Sequence, residues 1–314
     1  MNPKDGYIAY IANPKAGSSG AKPLPVQFRQ YLESKGFEVR YKPTVSLEHA
    51  CELATEAAVD FSCALVAAAG GDGTIREVAH GLEGSDKPML VVPCGTENLL
   101  ANELGFDEKV STTIKTFEEG CTHELDLGSA NGKCFTSIAG FGFDGEIVKR
   151  VHGRRTGHIV HMDYFRPIWN TFWSYSFPNI AVEIDAQAVF EGPALVFVGN
   201  ISRYALGLEI LHNARFDDGL LDVCIYKCRS RMRLVGHSFL TILKQHTKSD
   251  DVIYRQGRKI TVSSDTRQVQ TEIDGDPGPP MPVQIEVIPH AVKVLIPKGG
   301  RPAGIRRRLI RILD

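Results

Sequence analysis

The apolar run Cys63-Ala64-Leu65-Val66-Ala67-Ala68-Ala69 leads straight into Gly70-Gly71-Asp72-Gly73-Thr74, and a helical pattern with Ile75, Val78, Ala79 and Leu82 on one face follows. A short, uninterrupted apolar run before a glycine turn reads as a strand buried on both faces. Strand, glycine turn and helix together are an arrangement that binds phosphate. Glycine lets anionic oxygens come close to the main chain, and the first N–H groups of the helix point at the anion along the helix dipole. Thr74 can cap the helix or bond a phosphate oxygen. Asp72 is the odd member, since a carboxylate is repelled by phosphate. It makes sense with a Mg²⁺ between the two, bound directly or through water. The plain alternative is a tight turn with Asp72 in a turn role.

The same alternation runs through the first third of the chain. Tyr7 to Ala12 reads as a buried strand ending in the polar loop Asn13-Pro14-Lys15-Ala16-Gly17-Ser18-Ser19-Gly20. A helix with Phe28, Tyr31 and Leu32 inward, a strand over Phe37 to Tyr41, and a helix capped by Thr44 or Ser46 come next. After the Asp72 loop, Met89 to Val92 forms another strand that ends at Pro93-Cys94-Gly95-Thr96-Glu97-Asn98. Helices at Leu99 to Leu104 and around Val110, Ile114 and Phe117 close the unit. Such alternation predicts a parallel sheet with helices on both faces, a Rossmann-like three-layer α/β domain whose ligands bind at the carboxyl ends of the strands.

The pattern changes near residue 123. His123 to Ser129 and Lys133 to Ile138 alternate around Asn131-Gly132, a hairpin signal. Strands are expected at Ile180 to Ile184, Ala194 to Gly199, Gly219 to Tyr226, Lys259 to Ser263, Gln268 to Ile273 and Val283 to Val287. The expected fold is therefore α/β plus β: an α/β domain over 1–122 and a β-sandwich domain over 123–289. An aromatic segment, His158 to Phe177, lies between the sandwich strands, and Leu234 to Gln245 reads as a helix.

Composition narrows the partners. A formal net charge of −1 over 314 residues gives no field that would draw in nucleic acid. The 7 cysteines are scattered, and Cys224 and Cys228 lack a second pair at zinc spacing, which suits reduced thiols in a cytoplasmic protein. The N-terminus lacks the apolar core of a signal peptide, and no run is long enough to span a bilayer.

Taken together, Asn13-Pro14 with Gly17, Gly70-Gly71-Asp72-Gly73-Thr74 and Pro93-x-Gly95-Thr96-x-Asn98 resemble the diacylglycerol kinase catalytic-domain superfamily, in its soluble bacterial lipid-kinase form. Sphingosine kinases are relatives of that form. The resemblance continues through Asp126-Leu127-Gly128, Gly140-Phe141-Gly142-Phe143-Asp144, Asn213-Ala214, Asp217-Asp218-Gly219-x-Leu221-Asp222 and Asp274-Gly275. It implies a return of the C-terminal segment 290–314, with Val292 to Ile296, to the first domain, an active site in the cleft between the domains, and an ATP- and Mg²⁺-dependent transfer to a lipid hydroxyl, with a diacylglycerol-like acceptor first among the candidates. It places Asn13, Thr44, Gly70, Gly71, Asp72, Gly73, Thr74, Thr96 and Asn98 around ATP. It places the catalytic base at Asp276, where the family has Glu, and a structural Mg²⁺ on the Asp218 side chain and the carbonyls of Arg215 and Leu220. Asp126 and Asp72 would share a water-mediated metal network. Leu99 stands where many relatives have a third Asp, which leaves that network short of an acid. From residue type alone, Asp274-Gly275-Asp276 and Asp217-Asp218-Gly219 also read as acidic turns.

Two further features bear on the lipid. The aromatic segment could line an acyl cleft, rest against a membrane or be plain core; His152, Arg154 and Arg155 before it could meet an anionic headgroup or be exposed loop. Ile305, Leu309, Ile312 and Leu313 share a helical face with arginines around it, a short basic amphipathic tail over 305–313 suited to a membrane surface or to docking on its own protein. A homodimer is common in such kinases. Two other readings stay open: an NAD kinase-like enzyme, and a nucleotide- or lipid-binding regulator without catalysis.

Overall fold

The computed structural model describes residues 5–16, 23–152, 161–266 and 269–299. Gly17, Arg154, Arg155, the first residues of the aromatic segment, Gln268 and the 305–313 tail lie outside the described residues. The chain divides into two compact units, Met1–Leu127 with Pro289–Asp314, and Gly128–Ile288.

The first unit alternates β1 (Tyr7–Ala12), α1 (Leu24–Ser34), β2 (Val39–Pro43), α2 (Leu47–Val59), β3 (Cys63–Gly70), α3 (Asp72–Gly81), β4 (Met89–Pro93), α4 (Leu99–Glu103), α5 (Val110–Glu119) and β5 (Cys121–Ala130), which continues into the second unit. Strands β2, β1, β3 and β4 lie side by side, all parallel. From β1 the chain steps outward to β2, then returns past β1 to β3. Right-handed crossovers therefore put α1 on one face and α2 and α3 on the other, and the α1–α5 and α2–α3 packing agrees. Ile8 to Ile11 and Val66 to Ala68 are fully buried, which is why these strands carry no alternation. Phe37 belongs to the turn before β2 rather than to the strand. Its N–H donates to the Leu32 carbonyl, and its ring meets Phe117 at 5.0 Å. Ser46 is the cap of α2, accepting from the His49 N–H.

The second unit holds β6 (Lys133–Phe135), β7 (Ile138–Phe141), α6 (Phe143–His152), α7 (His161–Ser174), β8 (Asn179–Ile184), β9 (Gln187–Gly199), β10 (Leu221–Lys227), α8 (Arg231–Ile242), β11 (Val252–Gly257), β12 (Lys259–Ser263), β13 (Thr271–Ile273), β14 (Asp276–Pro277) and the first part of β15 (Val283–Ile296). β5 and β6 pair across Asn131 (φ 49°) and Gly132 (φ 84°), both left-handed as a tight hairpin turn requires. The long strand β9 joins two sheets. Its first half pairs with β8, which continues to β12 and β15; its second half lies between β7 and β10. Val196, Val198, Val223 and Ile225 point into the core between the sheets with Val182, Ile260 and Ile285, whereas Leu195, Phe197, Cys224 and Tyr226 point to a second core with Leu234. This is the β-sandwich, with one sheet covered on its outer face as well.

Several expected boundaries move. The second hairpin strand stops at Phe135, because Thr136 and Ser137 are held by the Asp274 carboxylate, and Ile138 starts β7 in the other sheet. Val283 to Val287 and the final strand are one continuous β15, whose second half pairs in parallel with β4. β11 and α6 were not expected. The helix in the Leu234 region starts earlier, at Arg231, with Ser230 accepting from the Arg233 N–H as its cap.

The α2–α3 contact rests on Gly81. A Cβ there would lie 2.4 Å from the Cys51 carbonyl oxygen and 2.7 Å from the Ala54 Cβ. Gly81→Ala gains about 1 kcal/mol of helix propensity, but overpacking costs about 1–3 kcal/mol. We expect a net loss of about 1 kcal/mol or more in urea denaturation; unchanged or raised stability would show that the helices can part without penalty.

Candidate functional site

The chain reverses its lateral direction between β1 and β3, and the loops leaving their carboxyl ends diverge there. Ligands of open α/β sheets bind at such a switch point. Asn13 follows β1, its N–H donating to the Ala69 carbonyl of β3 at 2.9 Å. Thr44 follows β2, is buried, and its N–H donates to the Ala12 carbonyl at 2.8 Å. Asn13 Nδ2 lies 3.5 Å from the Thr74 hydroxyl. The structure thus gathers Asn13, Thr44 and the Gly70–Thr74 loop at one edge of the sheet.

Gly71 is the N-cap of α3 and offers no side-chain acceptor, so Asp72, Gly73 and Thr74 form the first turn. First-turn N–H groups lack partners within the helix, which suits them to an anion. Thr74 is therefore the third helical residue and not the cap. Its side chain fills the space above Gly70, where a Cβ would lie 2.4 Å from the Thr74 Cβ.

The loop after β4 comes against this turn. A Cβ on Gly95 would lie 2.6 Å from the Gly71 Cα, so only two glycines permit the contact. Asn98, left-handed at φ 50°, clamps the loop: its Oδ1 accepts from the Gly95 N–H at 2.7 Å and its Nδ2 donates to the Gly95 carbonyl at 3.0 Å. Buried and with its amide committed to the loop, Asn98 shapes the site, while Thr96 beside it is exposed. Asp72 Oδ1 accepts from the Leu100 N–H at 3.4 Å, at the start of α4. Asp126, fully buried on β5, accepts from the His290 N–H at 2.7 Å and thereby ties β5 to β15.

In the second unit, Arg215 binds Asp217 Oδ1 at 3.0 Å, Gly219 is left-handed at φ 71°, and Asp218 Oδ1 accepts from the Leu220 N–H at 3.2 Å. Asp222 follows on β10, fully buried, with Gln256 donating to its Oδ2 at 3.0 Å. Burial first, and the nearby Asp218 charge as well, push its carboxyl up to about 6. Its Oδ1 has no hydrogen-bond partner. A buried carboxylate close to a second acid, with the Tyr254 hydroxyl also turned to it, fits a hard cation, and the carbonyls of Arg215 and Leu220 are of the right chemistry.

Asp274-Gly275 is a tight turn, with φ 48° and 78°, joining β13 to β14. Asp274 anchors it: Oδ1 accepts from the Ser137 and Ile138 N–H groups at 3.0 and 2.9 Å, and Oδ2 from the Thr136 N–H at 2.9 Å. Asp276 opens β14, half-buried, paired through its backbone with Ile273. So the turn chemistry belongs to Asp274, and Asp276 stands just past it.

A group that the sequence did not single out supports this turn. Glu272 Oε2 accepts from the Gly275 N–H at 2.9 Å. Its other oxygen shares the space above Gly140 with Asp144: a Cβ on Gly140 would lie 2.6 Å from Asp144 Oδ2 and 2.7 Å from Glu272 Oε1. The Tyr204 hydroxyl donates to Asp144 Oδ1. Glu272 is buried and the Asp144 oxygen that faces it is cut off from solvent; burial pushes both carboxyls above the ordinary range, with the Asp144 charge adding to the push on Glu272. Two carboxylates in such a space hold one proton between them. A polar residue in an alternating strand gives no sign of this; the glycine at 140, beside an acid four residues on, was the available clue.

Because both carboxyls lie above their ordinary values of 3.8 and 4.5, the folded chain keeps a proton that the unfolded chain releases. The pair's contribution is intact below about pH 4 and declines as pH rises above that. Glu272→Gln supplies the same donor and acceptor without titrating. The melting temperature of the variant should fall less than that of the parent between pH 5 and 8.5, by roughly 3 °C. Parallel curves would mean that no proton is shared.

Comparison with known proteins accords with this geometry. Residues 8–130 match the diacylglycerol kinase catalytic domain, and residues 137–296 match the YegS C-terminal NAD kinase beta sandwich-like domain. A Bacillus subtilis protein named diacylglycerol kinase is 28% identical over 92% of this chain and 95% of its own length. A crystal structure of a diacylglycerol kinase from Bacillus anthracis superposes with a TM-score of 0.69 at 19% identity, covering 95% of this chain and 99% of that one. Yeast NADH kinase complexed with NADH shares the fold more loosely, with a TM-score of 0.55 at 13% identity over 97% of this chain and 88% of that one. With both domain types present in order on the α/β unit and the sandwich, the chain belongs to the family that joins a diacylglycerol kinase catalytic domain to a YegS-type C-terminal domain.

Proposed function

We propose that this protein is an ATP- and Mg²⁺-dependent lipid kinase that transfers the γ-phosphate to a hydroxyl of a diacylglycerol-like lipid. The observation that carries this reading is the uncapped first turn of α3, pressed against Gly95, in a chain of this family. Phosphoryl transfer to an alcohol needs held phosphates, charge neutralisation and a base for the hydroxyl proton. The main-chain amides of Gly71 to Thr74 hold the phosphates, with the Thr74 and Asn13 side chains beside them. Asp72 is the acid through which Mg²⁺, when bound, would offset the phosphate charge, and Asp218 with its neighbouring carbonyls would hold a structural ion. Asp276 takes the hydroxyl proton. Aspartate reaches one methylene less than glutamate, so the acceptor must come closer. Leu99 brings no acid to the metal, which leaves Asp72 with the larger part.

The likeness to NADH kinase in fold makes NAD the control acceptor. With [γ-³²P]ATP, the parent should label diacylglycerol in detergent micelles and form no NADP from NAD. Asp276→Asn and Asp72→Ala should each lower lipid labelling by roughly 10²-fold or more while the melting temperature holds. Full turnover by Asp276→Asn would remove the base assignment. NADP formation would replace the acceptor class, and tight ATP binding without labelling of any lipid would leave a binding protein in place of an enzyme.

A further inference from the structure

Helix α8 carries its apolar stripe outward. Met232, Val235, Phe239, Ile242 and the following Leu243 recur at helical spacing on one side, and they are 48–81% exposed. The opposite side, with Leu234, His237 and Thr241, is the buried one. Helix α7 adjoins it: Arg231, at the start of α8, donates through Nε to the Phe172 carbonyl at 2.8 Å and through Nη2 to the Trp173 carbonyl. Trp169 and Trp173, one turn apart with ring centroids at 5.8 Å, are 56% and 55% exposed and extend the apolar area. Large apolar side chains exposed together along one helix face mark an interaction surface.

Charge decides what covers it. From Val223 to Asp251 the chain has six cations, Lys227, Arg229, Arg231, Arg233, Lys244 and Lys248, against two acids, Asp250 and Asp251. Asp251 neutralises Arg233 and Glu209 neutralises Lys244. Arg229, Arg231 and Lys248 have no acidic partner among the described residues. A second copy of the same face would set these cations against their equivalents. An anionic leaflet would neutralise them while its acyl region takes the apolar stripe.

We propose that the α7–α8 face is a membrane-docking surface for anionic phospholipid bilayers, which brings the protein to a bilayer-resident acceptor. This deepens the lipid-kinase reading and rests on it for its purpose, but the docking itself is measured without ATP. The chain has 2 tryptophans, and both lie on this face, so intrinsic fluorescence reports on it directly. Phosphatidylcholine vesicles containing phosphatidylglycerol should sediment the full chain and shift its emission to the blue, and pure phosphatidylcholine vesicles should do neither. The triple variant Met232→Ser, Phe239→Ser, Ile242→Ser should lose binding by roughly tenfold or more, with an unchanged melting temperature and unchanged turnover on detergent-dispersed lipid. Arg229→Glu with Lys248→Glu should weaken binding in the same direction. A parent chain that neither sediments nor shifts overturns the inference, as does a triple variant that binds equally well. A dimer that buries the tryptophans and dissolves on the same substitutions, without vesicle binding, would make a second copy the occupant. If the parent docks but labels no lipid, the kinase reading fails and the docking surface stands; if it labels micellar lipid but does not dock, the reverse holds.

Discussion

A methyl group on Gly95 would sit 2.6 Å from the Cα of Gly71, and one on Gly70 would sit 2.4 Å from the Cβ of Thr74. These two close approaches bring the loop after β4 against the first turn of α3 and seat Thr74 above the end of β3. The rest of the α/β edge follows from them. Asn98 can clamp Gly95 from both sides only because that loop is already folded back, and Asp72 reaches the Leu100 N–H because α4 starts beside it. The first-turn N–H groups of α3 then lie at the switch point between β1 and β3, without a side-chain cap.

The second unit uses burial of charge in a comparable way. Asp144 and Glu272 meet above Gly140, burial pushing both carboxyls above their ordinary range, and Glu272 in turn holds the Gly275 N–H. Asp274 ties the same turn to Thr136, Ser137 and Ile138. The short β13–β14 ribbon is thus fixed by side-chain carboxylates more than by its few backbone pairs, and it carries Asp276 as a dependent of that frame. An enclosed acid pair is expensive unless it is fully bonded. Its presence beside the Asp276 turn sets where the ribbon can stand.

Much of this was legible in the chain. The uninterrupted apolar runs at Tyr7 to Ala12 and Cys63 to Ala69 implied strands covered on both faces, and Asn131-Gly132 marked its hairpin. The glycines at 70, 71 and 95 pointed to close backbone approach. The boundaries that moved did so for tertiary reasons. Phe37 left its strand to pack on Phe117. The hairpin strand after Lys133 was cut at Phe135 by a carboxylate from residue 274, more than a hundred residues away. The aromatic segment divided: Phe172, Tyr175 and Phe177 pack against the sandwich, while Trp169 and Trp173 stay at the surface. Composition could not assign these fates, because an aromatic ring suits either one.

By itself, the order of residues determined that the first unit is a parallel α/β layer, that its glycine loops lie at strand ends, and that an acid accompanies them. Those outcomes depend on local periodicity and on the steric freedom of glycine, which neighbouring residues disclose. Only the tertiary structure decided that Asp274 anchors its turn while Asp276 stands beyond it, that Asn98 clamps a loop, that Glu272 meets Asp144, and that the apolar side of α8 faces outward. Each of these depends on which distant side chain fills a given space, and on whether water or protein meets a polar atom there.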